Sequence, residues 1–229
     1  MLTVRLLAMV LLAQAPSPAP VAVPADTLRV YLVRHGQALS NLQPPPALPE
    51  AGLDHLTSEG REQARQAGQA LARLGVSLVV TSPAGRARET AAAMRAEIHG
   101  ARVRVEPRLR PMDRGRNAEG RELSGEERAA EWKAGRDPVP TGGESLDQAG
   151  QRALALIESL AREGRGRSVA VVSHSEVIGS LLGRLEGKPA FERYPPGLAN
   201  GAISLVEVAG TNPPVIVFRN RPPAEVSGP

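Results

Sequence analysis

Short apolar runs alternate with amphipathic segments of helical period along this chain of 229 residues. Thr27–Val33, Val76–Ser82 and Arg167–Ser173 are continuous apolar runs, which is typical of strands buried on both faces of a sheet. Thr57–Gly75 and Ser145–Gly164 lie between such runs and repeat apolar residues at helical spacing. Strands separated by helices require crossover connections. We therefore predict an α/β fold, a three-layer sandwich whose central sheet is mostly parallel and carries helices on both faces.

The start of the chain does not fit this alternation. Leu6–Ala13 is an apolar run preceded by one Arg and followed by small residues, which is typical of a secretory signal peptide, and a proline-rich linker comes next. We predict a signal peptide and linker over residues 1–25, a catalytic domain over 26–222 and a flexible tail over 223–229. Export would place the protein in the periplasm or outside the cell, and without export it would be cytoplasmic. No other segment could span a bilayer.

The composition argues against several classes of function. The chain has no Cys, which excludes disulfides and thiolate metal sites, and its His and acidic residues show no metal-binding spacing. The net charge is +4, but acidic residues are interspersed with the Arg residues and aromatic residues make up only 2%. This pattern predicts a solvated charged surface and no nucleic-acid partner. No feature of the sequence indicates an oligomeric state.

Basic side chains follow three of the predicted strands. Arg34 and His35 come directly after the first strand, Arg86 follows the second near a helix start, and His174 follows the strand that ends at Ser173. In open α/β sheets, ligands bind beyond the carboxyl ends of the strands. Guanidinium groups and helix N-termini bind phosphate. Nearby positive charge lowers the pKa of an imidazole and so keeps it neutral. A neutral imidazole beside a bound phosphoryl group can act as a nucleophile.

At these residues the chain resembles the histidine phosphatase superfamily, the phosphoglycerate-mutase-like clan. Leu32–Asn41 (LVRHGQALSN) is similar to the family signature, and Thr81–Ala91 (TSPAGRARETA) is similar to a second family segment. Thr141–Ser145 (TGGES) and Val171–Ile178 (VVSHSEVI) are similar to the later motifs. The resemblance extends from Leu28 to about Val208.

The resemblance implies a role for each matching residue. His35 would be phosphorylated on nitrogen and then hydrolysed by water. Arg34, Arg86 and His174 would hold the phosphoryl group with help from Asn41. No metal or organic cofactor would be needed, and the partner would be a small phosphorylated substrate.

One departure concerns the general acid. The family usually has a carboxylate where this chain has Pro111, and proline cannot donate a proton to an alkoxide leaving group. Asp113 is the nearest replacement, and Glu119 is the second. The family commonly has Gly after the histidine that corresponds to His174, whereas this chain has Ser175 and Glu176. The Glu176 side chain could repel dianionic substrates or point outward along its helix. We predict His35, His174 and Asp113 as catalytic residues and the following as substrate-binding residues: Arg34, Gln37, Asn41, Arg86 and Ser173.

The predicted function is metal-independent hydrolysis of phosphomonoesters through a phosphohistidine on His35. Three alternatives stay open. The altered acid position could limit the enzyme to good leaving groups, such as phosphoanhydrides or aryl phosphates. The protein could instead be a phosphoglycerate-type mutase or a non-catalytic phosphate-binding module.

Overall fold

A central sheet of six strands organises the molecule. The computed structural model describes residues 22–189, 192 and 197–227. The strands are β1 (Thr27–Arg34), β2 (Val76–Thr81), β3 (Arg102–Val105), β4 (Arg167–Ser173), β5 (Ile203–Ala209) and β6 (Val215–Arg221). Their order in the sheet is β3-β2-β4-β1-β5-β6. The four strands β1, β2, β3 and β4 are parallel to one another, whereas β5 is antiparallel to β1 and β6 is antiparallel to β5. The mostly parallel sheet is confirmed, and its antiparallel part is the terminal pair of strands.

Three of the six α-helices in the described residues begin at a side-chain cap: Thr57, Ser124 and Ser145. The Thr57 hydroxyl accepts a hydrogen bond from the backbone N–H of Gly60, and Ser145 forms a capping box with Gln148. Each cap satisfies backbone donors that the first helical turn leaves without a partner. The helices are α1 (Glu50–Leu53), α2 (Ser58–Arg73), α3 (Gly85–Glu97), α4 (Gly125–Lys133), α5 (Leu146–Glu163) and α6 (Ser175–Leu185).

Side chains of β1 alternate between two hydrophobic cores. Leu28, Val30 and Leu32 pack with α5 and α6 on one face of the sheet. Tyr31 and Val33 pack with α2 and α3 on the other face. Because a strand buries both of its faces only when helices cover both sides of the sheet, this division confirms the predicted three-layer arrangement.

The packed chain extends past the predicted domain boundary. Pro223–Glu225 forms a 3₁₀ helix, and Val226 is buried in the core that contains α2 and α3. The flexible tail predicted from residue 223 is therefore wrong up to Val226, because an apolar side chain there finds a place in the core. At the other end, most of the predicted signal peptide and linker, residues 1–21, lies outside the described residues.

The described residues contain neither a membrane-crossing helix nor a group of metal ligands. No helix there is both long and apolar enough to cross a lipid bilayer. Nor do three or more His, Asp or Glu side chains gather there in a group that could hold a metal ion.

Two glycines bring the loop after β1 into backbone contact with the first turn of α2. A Cβ atom at Gly36 would lie 2.2 Å from the carbonyl oxygen of Gly60, and one at Gly60 would lie 2.0 Å from the carbonyl oxygen of Gln37. The Gln37 carbonyl also accepts a hydrogen bond of 2.9 Å from the Thr57 N–H. Any side chain at either glycine would separate these segments, so the contact fixes the loop that contains His35.

Candidate active site

The carboxyl ends of three parallel strands meet at one edge of the sheet. Arg34 at the end of β1 pairs with Ser173 at the end of β4, and β2 lies on the other side of β4. His35 and His174 follow these strands, and the centroids of their imidazole rings are 5.1 Å apart. Arg86, in the first turn of α3, makes hydrogen bonds to both rings. The structure therefore brings together the four basic residues that the sequence placed at strand ends.

The hydrogen bonds of His35 determine which ring nitrogen holds the proton. Nδ1 lies 2.8 Å from the carbonyl oxygen of Gly36, which can only accept, so Nδ1 is the donor. Nε2 lies 3.2 Å from Nε of Arg86, which can only donate, so Nε2 keeps its lone pair. Burial, followed by the charge of Arg86, lowers the pKa of His35 to about 3. His35 is therefore a neutral imidazole whose lone pair lies on Nε2.

His174 has the opposite tautomer. Its Nδ1 accepts a hydrogen bond of 3.2 Å from Nη2 of Arg86, so its Nε2–H donates to the Ser82 hydroxyl at 2.8 Å. The residue is also the N-cap of α6. Burial, followed by the neighbouring His35 and Arg86, lowers the pKa of His174 well below its usual range. Both rings are thus neutral and oriented by fixed partners.

Asp54 orients Arg86, and the sequence analysis did not identify it. Its carboxylate accepts from Nη1 of Arg86 and, at 2.6 Å, from the backbone N–H of Gly85 at the start of α3. The guanidinium group thus makes bonds to Asp54 and to both imidazoles. Asp54 directly follows α1, in the proline-rich segment that connects β1 to α2, and no sequence motif pointed to it.

Arg34 and Asn41 line the cavity beside the two histidines. Nη1 of Arg34 donates to the carbonyl oxygen of Leu198. The side-chain oxygen of Asn41 accepts from the Ala38 N–H at 3.0 Å and from the Asn200 side chain at 3.3 Å. The NH₂ group of Asn41 is therefore the half of its amide that can donate to an anion in the cavity.

Two predicted substrate-binding residues lie elsewhere. The Gln37 side chain accepts a hydrogen bond of 2.8 Å from the Thr57 hydroxyl, at the start of α2. The Ser173 hydroxyl is fully buried and donates to the carbonyl oxygen of Leu109 at 3.0 Å. Neither residue lines the cavity that contains the histidines. Ser173 is on the α5 and α6 side of the sheet because strand residues alternate between faces.

The histidine cavity opens beside a larger groove. The cavity has a volume of about 200 Å³ and includes Glu176 from the first turn of α6 among its lining residues. The groove has a volume of about 1160 Å³. The two spaces together extend well beyond the histidine rings. Residues that line both spaces are Ser40, Arg86, Pro111, Met112 and Arg114.

Asp113 does not lie in the histidine cavity. Its side chain is exposed, lines the larger groove and accepts a hydrogen bond of 3.0 Å from the Gly115 N–H. Glu119 is also exposed and lines neither space. Pro111, by contrast, lines the histidine cavity. The structure therefore places the predicted general acid, Asp113, away from the imidazoles, because the turn after Pro111 directs it into the groove.

Curated relatives cover most of the chain. It is 33% identical over 187 residues to a protein of Erwinia tasmaniensis named "Probable phosphoglycerate mutase GpmB", with 79% of this chain and 85% of that protein covered. It is 32% identical over 188 residues to the protein of the same name from Serratia proteamaculans, with the same coverage. The similarity therefore covers about four fifths of the chain.

A solved structure and a family profile agree with this similarity. The mycobacterial glucosyl-3-phosphoglycerate phosphatase, solved in complex with VO₃, is 26% identical and superposes with a TM-score of 0.62. The match covers 78% of this chain and 90% of that one. The profile of the histidine phosphatase superfamily (branch 1) matches residues 30–221. The chain therefore belongs to the histidine phosphatase superfamily, branch 1.

Proposed function

We propose that this protein hydrolyses phosphomonoesters through a phosphohistidine formed on Nε2 of His35. The observation that carries the proposal is the state of that imidazole. It is buried and neutral, its Nδ1–H is held by a carbonyl group, and its Nε2 lone pair faces Arg86 in a cavity. A nucleophile needs an available lone pair and a fixed direction of attack, and His35 has both.

In the first step, Nε2 of His35 attacks phosphorus and the bond between phosphorus and the ester oxygen breaks. The hydrogen bond from Arg86 to Nε2 of His35 breaks in this step, and the N–H groups of Arg86 then bind phosphoryl oxygens. Arg34 and Asn41, which line the same cavity, supply further donors. Donors already held in position stabilise negative charge on the phosphoryl oxygens in the transition state.

In the second step, water attacks phosphorus and the bond to Nε2 breaks, which releases phosphate and restores neutral His35. The Nδ1–H bond to Gly36 holds the ring in one orientation in both steps. The adjoining groove, about 1160 Å³ in volume, supports entry of water and departure of the alcohol.

A phosphoglycerate-type mutase is the second candidate, because the curated relatives bear that name. A mutase would return the phosphoryl group from His35 to a second hydroxyl of the substrate. A hydrolase would transfer it to water. The two differ in the product, so assays of phosphate release and of phosphoglycerate isomerisation on the same preparation separate them.

The test of the proposed function is turnover of an aryl phosphate by wild-type protein and by His35→Ala. We expect the substitution to reduce phosphate release to the background rate, because the nucleophile is lost. His55→Ala is the matched control, since His55 is an exposed histidine paired with Glu89. Wild-type turnover by His35→Ala would reject the proposal. Phosphate binding without turnover by the wild-type protein would support a binding module instead.

A further inference from the structure

The cavity around His35 has no carboxylate at the position where the family resemblance predicts one. Pro111 lines the cavity at that position. An alkoxide is a poor leaving group near neutral pH, so hydrolysis of an alkyl phosphate requires a proton donor beside the ester oxygen. If the proposed function is correct, the donor must come from another part of the fold.

Glu176 is the candidate that the geometry supplies. Among the carboxylates of the described residues, it is the one that lines the same cavity as His35 and His174. Four others, Glu50, Asp54, Asp113 and Glu122, line the larger groove instead. Glu176 therefore lines the cavity that contains both imidazoles, whereas the acid predicted from the sequence, Asp113, does not.

The environment of Glu176 leaves its carboxyl group available. The residue is half-buried in the first turn of α6, two positions after His174, which is the N-cap of that helix. Within the described ranges, its carboxyl group has neither an ion pair nor a hydrogen bond. Asp54 differs, since its carboxylate accepts hydrogen bonds from Arg86 and from the backbone at the start of α3. A group without a competing partner can transfer a proton to a ligand.

We propose that Glu176 is the general acid and base of this site, an assignment that rests on the proposed function. As Nε2 of His35 attacks phosphorus, the bond to the ester oxygen breaks, and its electron pair takes the proton of the Glu176 carboxyl group. The alcohol leaves, and Glu176 remains as a carboxylate. Water then attacks phosphorus, its proton passes to Glu176, and the bond to Nε2 breaks. Phosphate, neutral His35 and protonated Glu176 result.

The two steps require the Glu176 carboxyl group in opposite states, with its proton in the first and without it in the second. After the alcohol leaves, the same group must be a carboxylate to assist water, and it has just lost its proton. One residue can therefore serve both steps.

The experiment compares Glu176→Gln with wild-type protein on an alkyl substrate, glycerol phosphate, and an aryl substrate, 4-nitrophenyl phosphate. The measured quantity is kcat/KM, which reports the steps up to departure of the alcohol or phenol. We expect glycerol phosphate to lose about 10²–10⁴ in kcat/KM, the usual contribution of a general acid. We expect 4-nitrophenyl phosphate to change by less than about tenfold, because a nitrophenolate leaves without a proton.

Asp113→Asn is the matched control, because Asp113 is a carboxylate that lines the neighbouring groove only. We expect it to keep the wild-type ratio of alkyl to aryl kcat/KM. Retained aryl turnover by Glu176→Gln also shows that the variant is folded. An equal loss on both substrates, no loss on either, or a selective alkyl loss in Asp113→Asn would each overturn the assignment of Glu176.

Different results would reject the role of Glu176 and the role of His35. If wild-type protein forms phosphohistidine from 4-nitrophenyl phosphate but Glu176→Gln keeps its alkyl turnover, only the assignment of Glu176 is wrong. A wild-type protein that hydrolyses aryl but not alkyl phosphates would also overturn it and would indicate an enzyme restricted to good leaving groups. If no phosphohistidine forms on His35, the proposed function itself is wrong.

Discussion

The contact between Gly36 and Gly60 gives a prediction whose size follows from the coordinates. In Gly60→Ala the new Cβ would lie 2.0 Å from the carbonyl oxygen of Gln37, whereas an ordinary contact begins at 3.4 Å. The loop and α2 must therefore move apart by more than about 1 Å. Gln37 is two residues from His35, so part of this movement reaches the nucleophile.

Two losses should result from Gly60→Ala. Overpacking of this kind typically costs about 1–3 kcal/mol in the free energy of unfolding. A displacement of about 1 Å in a reacting group can cost about 100-fold in rate. Urea denaturation measures the first effect, and kcat/KM for an aryl phosphate measures the second.

Gly52→Ala is the control for this prediction. Gly52 lies in α1, where a Cβ would approach only the side chain of Leu48, at 3.3 Å, and that side chain is exposed. We expect stability and activity close to wild type, since Ala is favoured over Gly in a helix. Wild-type stability and kcat/KM in Gly60→Ala would refute the view that this backbone contact positions His35.

Two further predictions concern the charges of the site. Burial and Arg86 lower the pKa of folded His35 to about 3, whereas an unfolded histidine titrates near pH 6.5, so the unfolded chain binds more protons between these values. As pH falls through this window, His35 should therefore reduce the free energy of unfolding by about 1.4 kcal/mol per pH unit. Urea denaturation of wild type and of His35→Gln at several pH values measures this, and the same change of unfolding free energy with pH in both proteins would contradict it. Asp54→Ala should lower kcat/KM for an aryl phosphate by about 10–100-fold, because Arg86 loses the carboxylate that orients it. Unchanged kinetics would show that the two imidazoles alone hold Arg86.

The fold and the basic part of the site could be predicted because both depend on local pattern. Apolar runs and helical periodicity identify strands and helices, and parallel strands place their carboxyl ends at one edge. Arg34, His35, Arg86 and His174 each follow or lie close to such an end, so chain order was enough to bring them together.

Other parts of the site depend on contacts that chain order does not encode. Gln37 is close to His35 in sequence, yet its side chain turns to Thr57 because the loop packs against α2. Asp54 reaches Arg86 through the path of a proline-rich loop. Asp113 and Glu176 are both carboxylates near predicted motifs. Only the three-dimensional arrangement decides that Glu176 lines the histidine cavity and that Asp113 lines the larger groove.

The most direct test of the account is the chemical identity of the phosphorylated atom. Wild-type protein would be mixed briefly with 4-nitrophenyl phosphate, quenched at alkaline pH and digested, and the labelled peptide would be mapped by mass spectrometry and NMR. We expect one phosphoryl group on Nε2 of His35, because Nδ1 donates its proton to the Gly36 carbonyl. A label on Nδ1, on His174 or on any other residue would contradict the account.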